Sequence, residues 1–468
     1  MACRLALILR VAKESADTVR KERMKMRVCM THYAFYPTTG GVESHLLELS
    51  SELVRQGHEV LALVGSRAGS PAEEEIQGVR VFRRDWMNPE VLRERKKAAG
   101  YAAPVVWPEL QREIADHYRT FISAHRCDVV HAHNFHHFLP EYGLALTELY
   151  EEGVPCLLTV HEVWSEFICE DLLERTQWDT VITVSRHVAE GIRQQAPHLK
   201  NLRLVYMGIN TDLFSPQNGA NGAAVWRERL NLNGRPTMIH PARMLPWKGV
   251  VYSVRALELL KREFPNILLI ITDTDDIVDW IDELKGYKRE VLQEIERRGL
   301  KDNVLCQTFN YLDLPAIYAN CDVVIYPTIG EEPFGLVPVE AMACGKPTVV
   351  SKSGGLVESV VDGETGFIVE KRNEKMLAQK IALLLRDKEL ARRMGEAGRR
   401  RAVQTFNRER MARETVELYA AALRKRQRIR APHQPSVQCR GEMARQQGEF
   451  VIEGETRRRR LDRRRRCA

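Results

Sequence analysis

The stretch 328-TIGEEPFGLVPVEAMACGKPTVVSKSGGLVESVVDGETGFIVE-370 decides the fold of this chain. It starts where an apolar strand, Asp322-VVIYP, ends, and it turns through Gly330 and Pro333 into a short helix that Gly345 terminates. A further strand, Pro347-TVVS, follows directly. Strand, helix and strand in this order are the repeat of an open parallel α/β sheet. In such a sheet, ligands bind beyond the carboxyl ends of the strands, where helix N-termini present unpaired amides and partial positive charge.

The same stretch places two carboxylates, Glu332 and Glu340, eight positions apart. Glu332 falls in the loop, and Glu340 falls near the first helical turn, just past Pro338. Between them, Phe334-Gly335-Leu336 can bring bare backbone amides against an anion, because Gly335 has no side chain to hold a ligand off. A ligand with a phosphate centre and hydroxyls on both sides suits this arrangement, and a nucleotide sugar has that shape. The other reading is that both glutamates are ordinary first-turn residues that stabilise the helix dipole. Spacing alone does not choose between them.

Working outward, the chain of 468 residues is long enough for two cores, and 44% hydrophobic with 28% charged residues is a globular composition. Its longest apolar runs are short strands such as Ile267-LLIIT, far below the ~18 residues of a membrane span. The opening Met1-ACRLALILRVAK has too brief an apolar core for a signal peptide, so a cytosolic location is expected. Ten cysteines are scattered without a C-x-x-C pair, which points to neither a disulfide framework nor a zinc site. The net charge of +7 belongs to the tail: from Arg424 onward there are 15 Lys and Arg against 5 Asp and Glu, a surplus of +10 that leaves about −3 for the rest. The tail, ending Thr456-RRRRLDRRRRCA, reads as disordered. It suits weak peripheral contact with an anionic membrane face through charge alone, and no specific nucleic-acid binding is expected.

In chain order, residues 1–24 read as a charged, helix-prone extension. Met26-RVCMT is a strand, Val42 to Gln56 a helix with Val42, Leu46, Leu49 and Leu53 on one face, and Glu59-VLALVG a second strand. The glycines of this βαβ unit, Gly40 and Gly41 after Thr39, are not the dinucleotide fingerprint G-x-G-x-x-G, and a plain turn is the bland reading. Asp85 to Tyr118 is polar, rich in Lys and Arg, and reads as an irregular loop over a cleft, a place where acceptors are read. In Cys127-DVVHAHNFHHF, His131 and His133 share a strand face and His136 and His137 follow, but no fourth ligand or usual zinc spacing accompanies them. Leu157-LTVHEVW is a buried strand ending in His161-Glu162, and Thr180-VITVS leads through Ser185 into a helix. Ser215 to Gly234, rich in Asn, Gly and Pro, reads as a linker. Thr237-MIHPARMLPWKGV then opens a second α/β region, with Arg243 and Lys248 five apart on the loop that follows the strand. Asp273-Thr274-Asp275-Asp276 before Ile277-VDWIDEL has the look of a helix N-cap rather than a metal-binding D-x-D. Asn373 to Phe406 reads as two amphipathic helices and Asn407 to Arg426 as a last one.

Four pieces in fixed order carry a family resemblance. They are Glu332 to Glu340 as E-x7-E, Gly345-Lys346-Pro347-Thr348-Val349, Gly354-Gly355 to Glu358, and Asp362-Gly363 to Gly366. This set resembles the signature of the retaining GT-B glycosyltransferases of family 4, the glycogen synthase and sucrose synthase group. Leu204-VYMGINTDLF is similar to the family's interdomain turn, with Met207 in place of the usual asparagine. Arg243 and Lys248 match its G-R-x4-K with Ala242 for glycine, and Asp273 to Asp276 stand where the family shows G-x-G.

The resemblance implies an α/β GT-B fold of two Rossmann-like domains facing each other across a cleft. The implied layout is an acceptor-side domain over 25–214, a linker over 215–236, a nucleotide-sugar domain over 237–403, a helix over 404–426 crossing back to the first domain, and the tail over 427–468. It also implies transfer of a hexosyl unit from a UDP- or GDP-linked sugar, with retention, to a hydroxyl acceptor such as a sugar, a lipid-linked sugar or a small molecule. No cofactor and no metal are expected. Arg243 and Lys248 hold the diphosphate, helped by amides near Gly40, Gly41 and Phe334-Gly335-Leu336. Glu340 takes the ribose hydroxyls, Glu332 the donor sugar, and His161 meets that sugar from the opposite domain. The competing readings are a nucleotide-sugar epimerase on the same fold and a non-catalytic binding protein.

Overall fold

The computed structural model describes residues 25–430 except 39, 102–104, 135–138, 164–172, 233 and 273–281. The extension 1–24, the Asp273–Asp276 cluster, His136, His137 and most of the basic tail therefore lie outside the described residues. Apolar runs bounded by turn residues form two sheets. The first holds β1 Arg27–Thr31, β2 Glu59–Gly65, β3 Glu73–Ile76, β4 Val79–Arg84, β5 Val129–His133, β6 Cys156–Val160, β7 Thr180–Thr183 and β8 Leu202–Leu204, in the order β3-β4-β2-β1-β5-β6-β7-β8. The second holds β9 Thr237–His240, β10 Leu268–Thr272, β11 Val304–Gln307, β12 Val323–Tyr326, β13 Thr348–Ser351 and β14 Gly366–Val369, in the order β11-β10-β9-β12-β13-β14. All neighbours pair in parallel except β3 with β4.

Both strand orders reverse direction at one place, between β1 and β5 in the first sheet and between β9 and β12 in the second. At such a switch point the crossover helices leave to opposite faces and open a crevice at the strands' carboxyl ends. The strands β5, β6, β7, β9, β12 and β13 are buried throughout, and successive residues of a strand supply opposite faces: Val28 and Met30 enter one apolar cluster and Cys29 another. One cluster covers each outer face, and a third joins Val130 and Leu158 of the first sheet with Ile239 and Val324 of the second. The two Rossmann-like domains therefore share packed side chains as well as a cleft.

The last helix, Arg408–Arg430, packs on the first sheet: Met411, Ala412 and Tyr419 lie in the cluster of Val28 and Met30. Its Tyr419 hydroxyl bonds His131 Nδ1 at 2.7 Å, and Arg426 reaches Asp179 at 2.9 Å. No helix among the described residues is long and apolar enough to cross a membrane.

Two sequence expectations need correction. The stretch read as a linker contains a helix, Pro216–Arg229, which Ser215 caps by accepting from the amide of Asn218. Its glycines serve packing: a side chain on Gly219 would stand 2.7 Å from the carbonyl of Pro315 in the adjoining helix Leu314–Asn320. Small residues thus let two helices meet at backbone distance, a use that composition alone mistakes for flexibility. The segment Asp85–Tyr118, read as irregular, likewise holds a helix Pro89–Ala98 capped by Asn88 and the start of another, Pro108–His125, each with proline at its first position.

Candidate active site

The loops after β1, β5, β6, β9, β11 and β12 converge on one cleft of about 730 Å³. All ten residues singled out in the sequence line it: Gly40, Gly41, His161, Arg243, Lys248, Glu332, Phe334, Gly335, Leu336 and Glu340.

The loop of Glu332 is built by close backbone stacking. Gly355 donates its amide to the carbonyl of Glu332 at 2.7 Å, and a side chain on Gly354 or Gly355 would stand 2.1 Å from that carbonyl or 2.4 Å from that of Pro333. The Ser353 hydroxyl donates to Gly330 O at 2.6 Å and accepts from the amide of Glu332 at 3.0 Å. Gly335 opens the helix Leu336–Ala343 at φ +87°, where a side chain would be strained and would meet Leu356 at 2.3 Å. These restraints aim Glu332 inward. Lys248 Nζ donates to its Oε2 at 2.8 Å and to the Tyr326 hydroxyl at 2.7 Å, and Tyr326 donates to the same Oε2 at 3.1 Å. Burial pulls the Lys248 ammonium down, but Glu332 and Tyr326 outweigh it and hold its pKa above the ordinary lysine value. Lys248 is thus a fixed cation shared with Glu332 rather than a loose surface charge.

Glu340 sits in the second turn of Leu336–Ala343 and is buried, which excludes the reading of the pair as first-turn dipole residues. It accepts from the Tyr318 hydroxyl at 3.1 Å. Burial pushes its carboxyl up to about 8, against the lowering effect of that bond and with added repulsion from Glu48. A carboxyl in this state is suited to gripping hydroxyl groups.

From the first domain, Gly40 and Gly41 start the helix Gly41–Arg55, and a side chain on Gly41 would meet nothing within 4 Å. A side chain on Gly40 would stand 2.2 Å from the Glu43 carboxylate, so that helix start already faces one carboxylate of its own. Glu43, in the helix's first turn, faces His32 at 3.5 Å; burial raises its carboxyl, but His32 and then Arg243 across the cleft hold it below the ordinary carboxylate value. His161 receives a bond from or gives one to His133 Nδ1 at 3.2 Å, and its amide donates to Asn134 at 3.0 Å. Asn134 also donates to Glu162 at 3.2 Å. Behind this wall His45, His133 and His161 bring ligating atoms within 4.8 Å of one another, whereas His131 spends both ring nitrogens on Tyr419 and Thr159. The strand-face pair His131 and His133 is therefore split in role, and burial holds the His131 imidazole near 3.

Glu358, from the G-G-x-x-E part of the signature, points away from the cleft. Its carboxylate accepts from the amides of Arg186 and His187 and from the Tyr206 hydroxyl, so it caps the helix Arg186–Gln195 of the first domain. Sequence reasoning missed this tie, as it missed Tyr326, Tyr318, Glu43 and Arg93 in the lining. Tyr326 had a visible signal, a polar tip closing an otherwise apolar strand, and Glu43 stands two residues after the glycine pair; Tyr318 and Arg93 come from distant segments with no shared motif.

Two sequence profiles match consecutive parts of the chain, one described as Glycosyltransferase Family 4 over residues 39–213 and one as Glycosyl transferases group 1 over residues 224–401. The chain belongs to glycosyltransferase family 4. Among the relatives of this family-4 transferase is a glycogen synthase of Mycobacterium tuberculosis, 28% identical over 427 residues, covering 85% of this chain and 95% of the relative. A GDP-mannose-dependent alpha-(1-6)-phosphatidylinositol monomannoside mannosyltransferase of Mycolicibacterium smegmatis is 27% identical, with 80% and 92% covered. Of solved structures, a sucrose-phosphate synthase of Thermosynechococcus elongatus superposes with a TM-score of 0.70 at 22% identity, covering 86% of this transferase and 100% of that chain. Anabaena HepE in complex with UDP and glucose gives 0.65 at 22% identity, with 85% and 100% covered. The fold is GT-B, and the transferase is an enzyme that uses a nucleoside-diphosphate sugar as donor.

Proposed function

We propose that this chain moves a hexosyl unit from a UDP- or GDP-linked sugar to a hydroxyl acceptor with retention at the anomeric carbon. The observation that carries the proposal is the Lys248–Glu332 contact of 2.8 Å on the cleft wall, with Arg243 on the same loop as Lys248 and His161 on the opposite domain. As the bond to the anomeric carbon breaks, negative charge builds on the departing diphosphate. Lys248 and Arg243 neutralise it, and the helix start at Gly41 and the amides of Phe334 to Leu336 supply further donors. Glu332 orients the sugar, with His161 beside it, and Glu340 takes the ribose hydroxyls at the far end. A closed cleft keeps water from the activated donor, since hydrolysis is the competing reaction.

The test is to incubate the protein with UDP-, GDP- and ADP-sugars, with and without hydroxyl acceptors, and to follow nucleoside diphosphate release and the product anomer by proton NMR. Release with an anomer matching the donor supports the reading. An inverted anomer, or conversion of the donor to an epimer without transfer, refutes it.

A further inference from the structure

Three histidines meet behind the cleft wall from separate elements. His45 lies in the helix Gly41–Arg55, His133 ends β5, and His161 follows β6. All three are buried, at 4%, 0% and 4% exposure. Each offers a ring nitrogen within 4.8 Å of those of the other two. Ring centroids are 4.7 Å apart for His45 and His161 and 5.5 Å apart for the other two pairs, and His133 Nδ1 lies 3.2 Å from His161 Nε2. Around one tetrahedral ion of the zinc class, metal–nitrogen bonds of about 2.0–2.1 Å set neighbouring ligand nitrogens about 3.3 Å apart and imidazole centroids about 5 Å apart. The triad therefore has close to the geometry of a ligand set.

Hydrogen bonding is the ordinary explanation for buried histidines, and it holds for His131, which spends both nitrogens on Tyr419 and Thr159. It does not hold for His45. Both of its ring nitrogens are buried and make no hydrogen bond among the described residues, and His133 Nε2 is in the same position. Buried polar atoms are nearly always partnered, so three such nitrogens in one cluster point to a ligand. The surrounding charge permits a cation. Arg410, which faces His45 from the last helix, is paired with Glu414 at 2.9 Å and donates to the carbonyls of Tyr206 and Met207. Imidazoles select zinc, cobalt, nickel or copper over magnesium and calcium, which prefer oxygen. His161 lines the cleft, so an ion has a way in and water can complete its shell.

We propose that His45, His133 and His161 bind one divalent transition-metal ion of the zinc class, and that filling this site shuts off transfer by withdrawing His161 from the donor sugar. The ion takes no part in the transfer, whose leaving charge falls to Lys248 and Arg243. Each imidazole binds through a lone pair, so the proton held between His133 and His161 moves to the other nitrogen of its own ring, with no net proton released. The binding half of this inference stands by itself, and the inhibitory half rests on the transferase reading above.

The full chain, stripped with EDTA and free of any histidine tag, is titrated with Co²⁺, whose visible absorption reports four-coordinate ligation, and then with Zn²⁺ in competition. The expected result is one ion per chain, displaced by Zn²⁺ and not by Mg²⁺. X-ray absorption of the zinc-loaded protein should count three imidazoles. His45→Leu and His133→Leu should each weaken Co²⁺ binding at least a hundredfold, and His198→Gln, at an exposed position, not at all. Melts in EDTA show whether the variants fold, and if they do not, the X-ray absorption of the unaltered chain decides the ligand set. Binding that survives in folded His45→Leu, or fewer than three imidazoles on the zinc, refutes the site. Zn²⁺ should also cut release of nucleoside diphosphate at least tenfold, EDTA should restore it, and folded His45→Leu should escape the inhibition. A filled site with unchanged release refutes the inhibitory half. No release from any donor sugar, with EDTA present or absent, refutes the transferase reading and that half with it, while the binding result still decides the site.

Discussion

Replacing Lys248 by Met removes one charge from a contact with a structural role and a proposed catalytic one, and the two separate by size. The side chains of Lys248 and Glu332 are 17% and 13% exposed and 2.8 Å apart. At an effective dielectric of 20, two unit charges at that distance attract by about 6 kcal/mol. Desolvation takes back a large part, and the cleft admits water on one side. Loss of either partner should therefore cost about 2–3 kcal/mol of stability, below the 3–5 kcal/mol of a fully enclosed pair. Removing both charges, in Lys248→Met with Glu332→Gln, should recover more than half of that loss, because no charge is then left alone. Turnover behaves differently. If Lys248 neutralises the departing diphosphate, Lys248→Met lowers kcat by about a hundredfold to a thousandfold, as loss of one preorganised donor does, with a smaller change in KM. Denaturant melts of the two single variants and the double variant measure the first effect, and steady-state release of nucleoside diphosphate measures the second. A folded Lys248→Met protein with kcat within tenfold of the parent would refute the assignment, whatever the stability data show.

Two further outcomes follow from the same cleft. Glu340 has a folded-state pKa of about 8, above its unfolded value near 4.5, so its contribution to stability is complete below about pH 4.5 and is lost as pH rises through 8. Glu340→Gln should accordingly be more stable than the parent in melts at pH 9 and about equal to it at pH 4, while binding UDP or GDP at least tenfold more weakly; equal stability at pH 9 would contradict the burial argument. Gly335→Ala forces a side chain into φ +87° and against Leu356 at 2.3 Å, which should cost about 2 kcal/mol and reduce kcat/KM by tenfold or more, because the amides beside it shift with the helix start. A crystal structure of that variant with an unmoved loop and unchanged rates would sink this account.

The fold was legible because strand, loop and helix signals fall in a repeated order, and because β-strands buried on both faces read as continuous apolar runs, as in Leu268–Thr272. These cleft residues were legible for a related reason: Arg243, Lys248 and Glu332 lie in connections directly beyond strands, and Glu340 in the helix that follows one, where sequence neighbours are also spatial neighbours. What sequence could not show is pairing across distance. Nothing near Glu332 announces that its partner is Lys248, 84 residues away, or that Glu358 reaches across to Arg186, 172 residues away. Composition also misled at Pro216–Arg229, where glycine marks close helix contact rather than a loose connection. The segment around Arg93 was noted for its charge, but its order is set by Asn88, Pro89 and a buried Lys96–Glu141 pair that no local pattern discloses.

The carboxylate of Glu358 ties two amides and a phenol of the other domain, while Gly354 and Gly355, a few residues before it, lie directly against the backbone of Glu332 and Pro333. One short segment is therefore an axle and a seat at once. A clamshell motion that kept those three bonds would swing about Glu358, and Glu332 would travel with the pivot instead of with the opening jaw. Substrate could then enter and leave without the donor cradle being dismantled on each cycle.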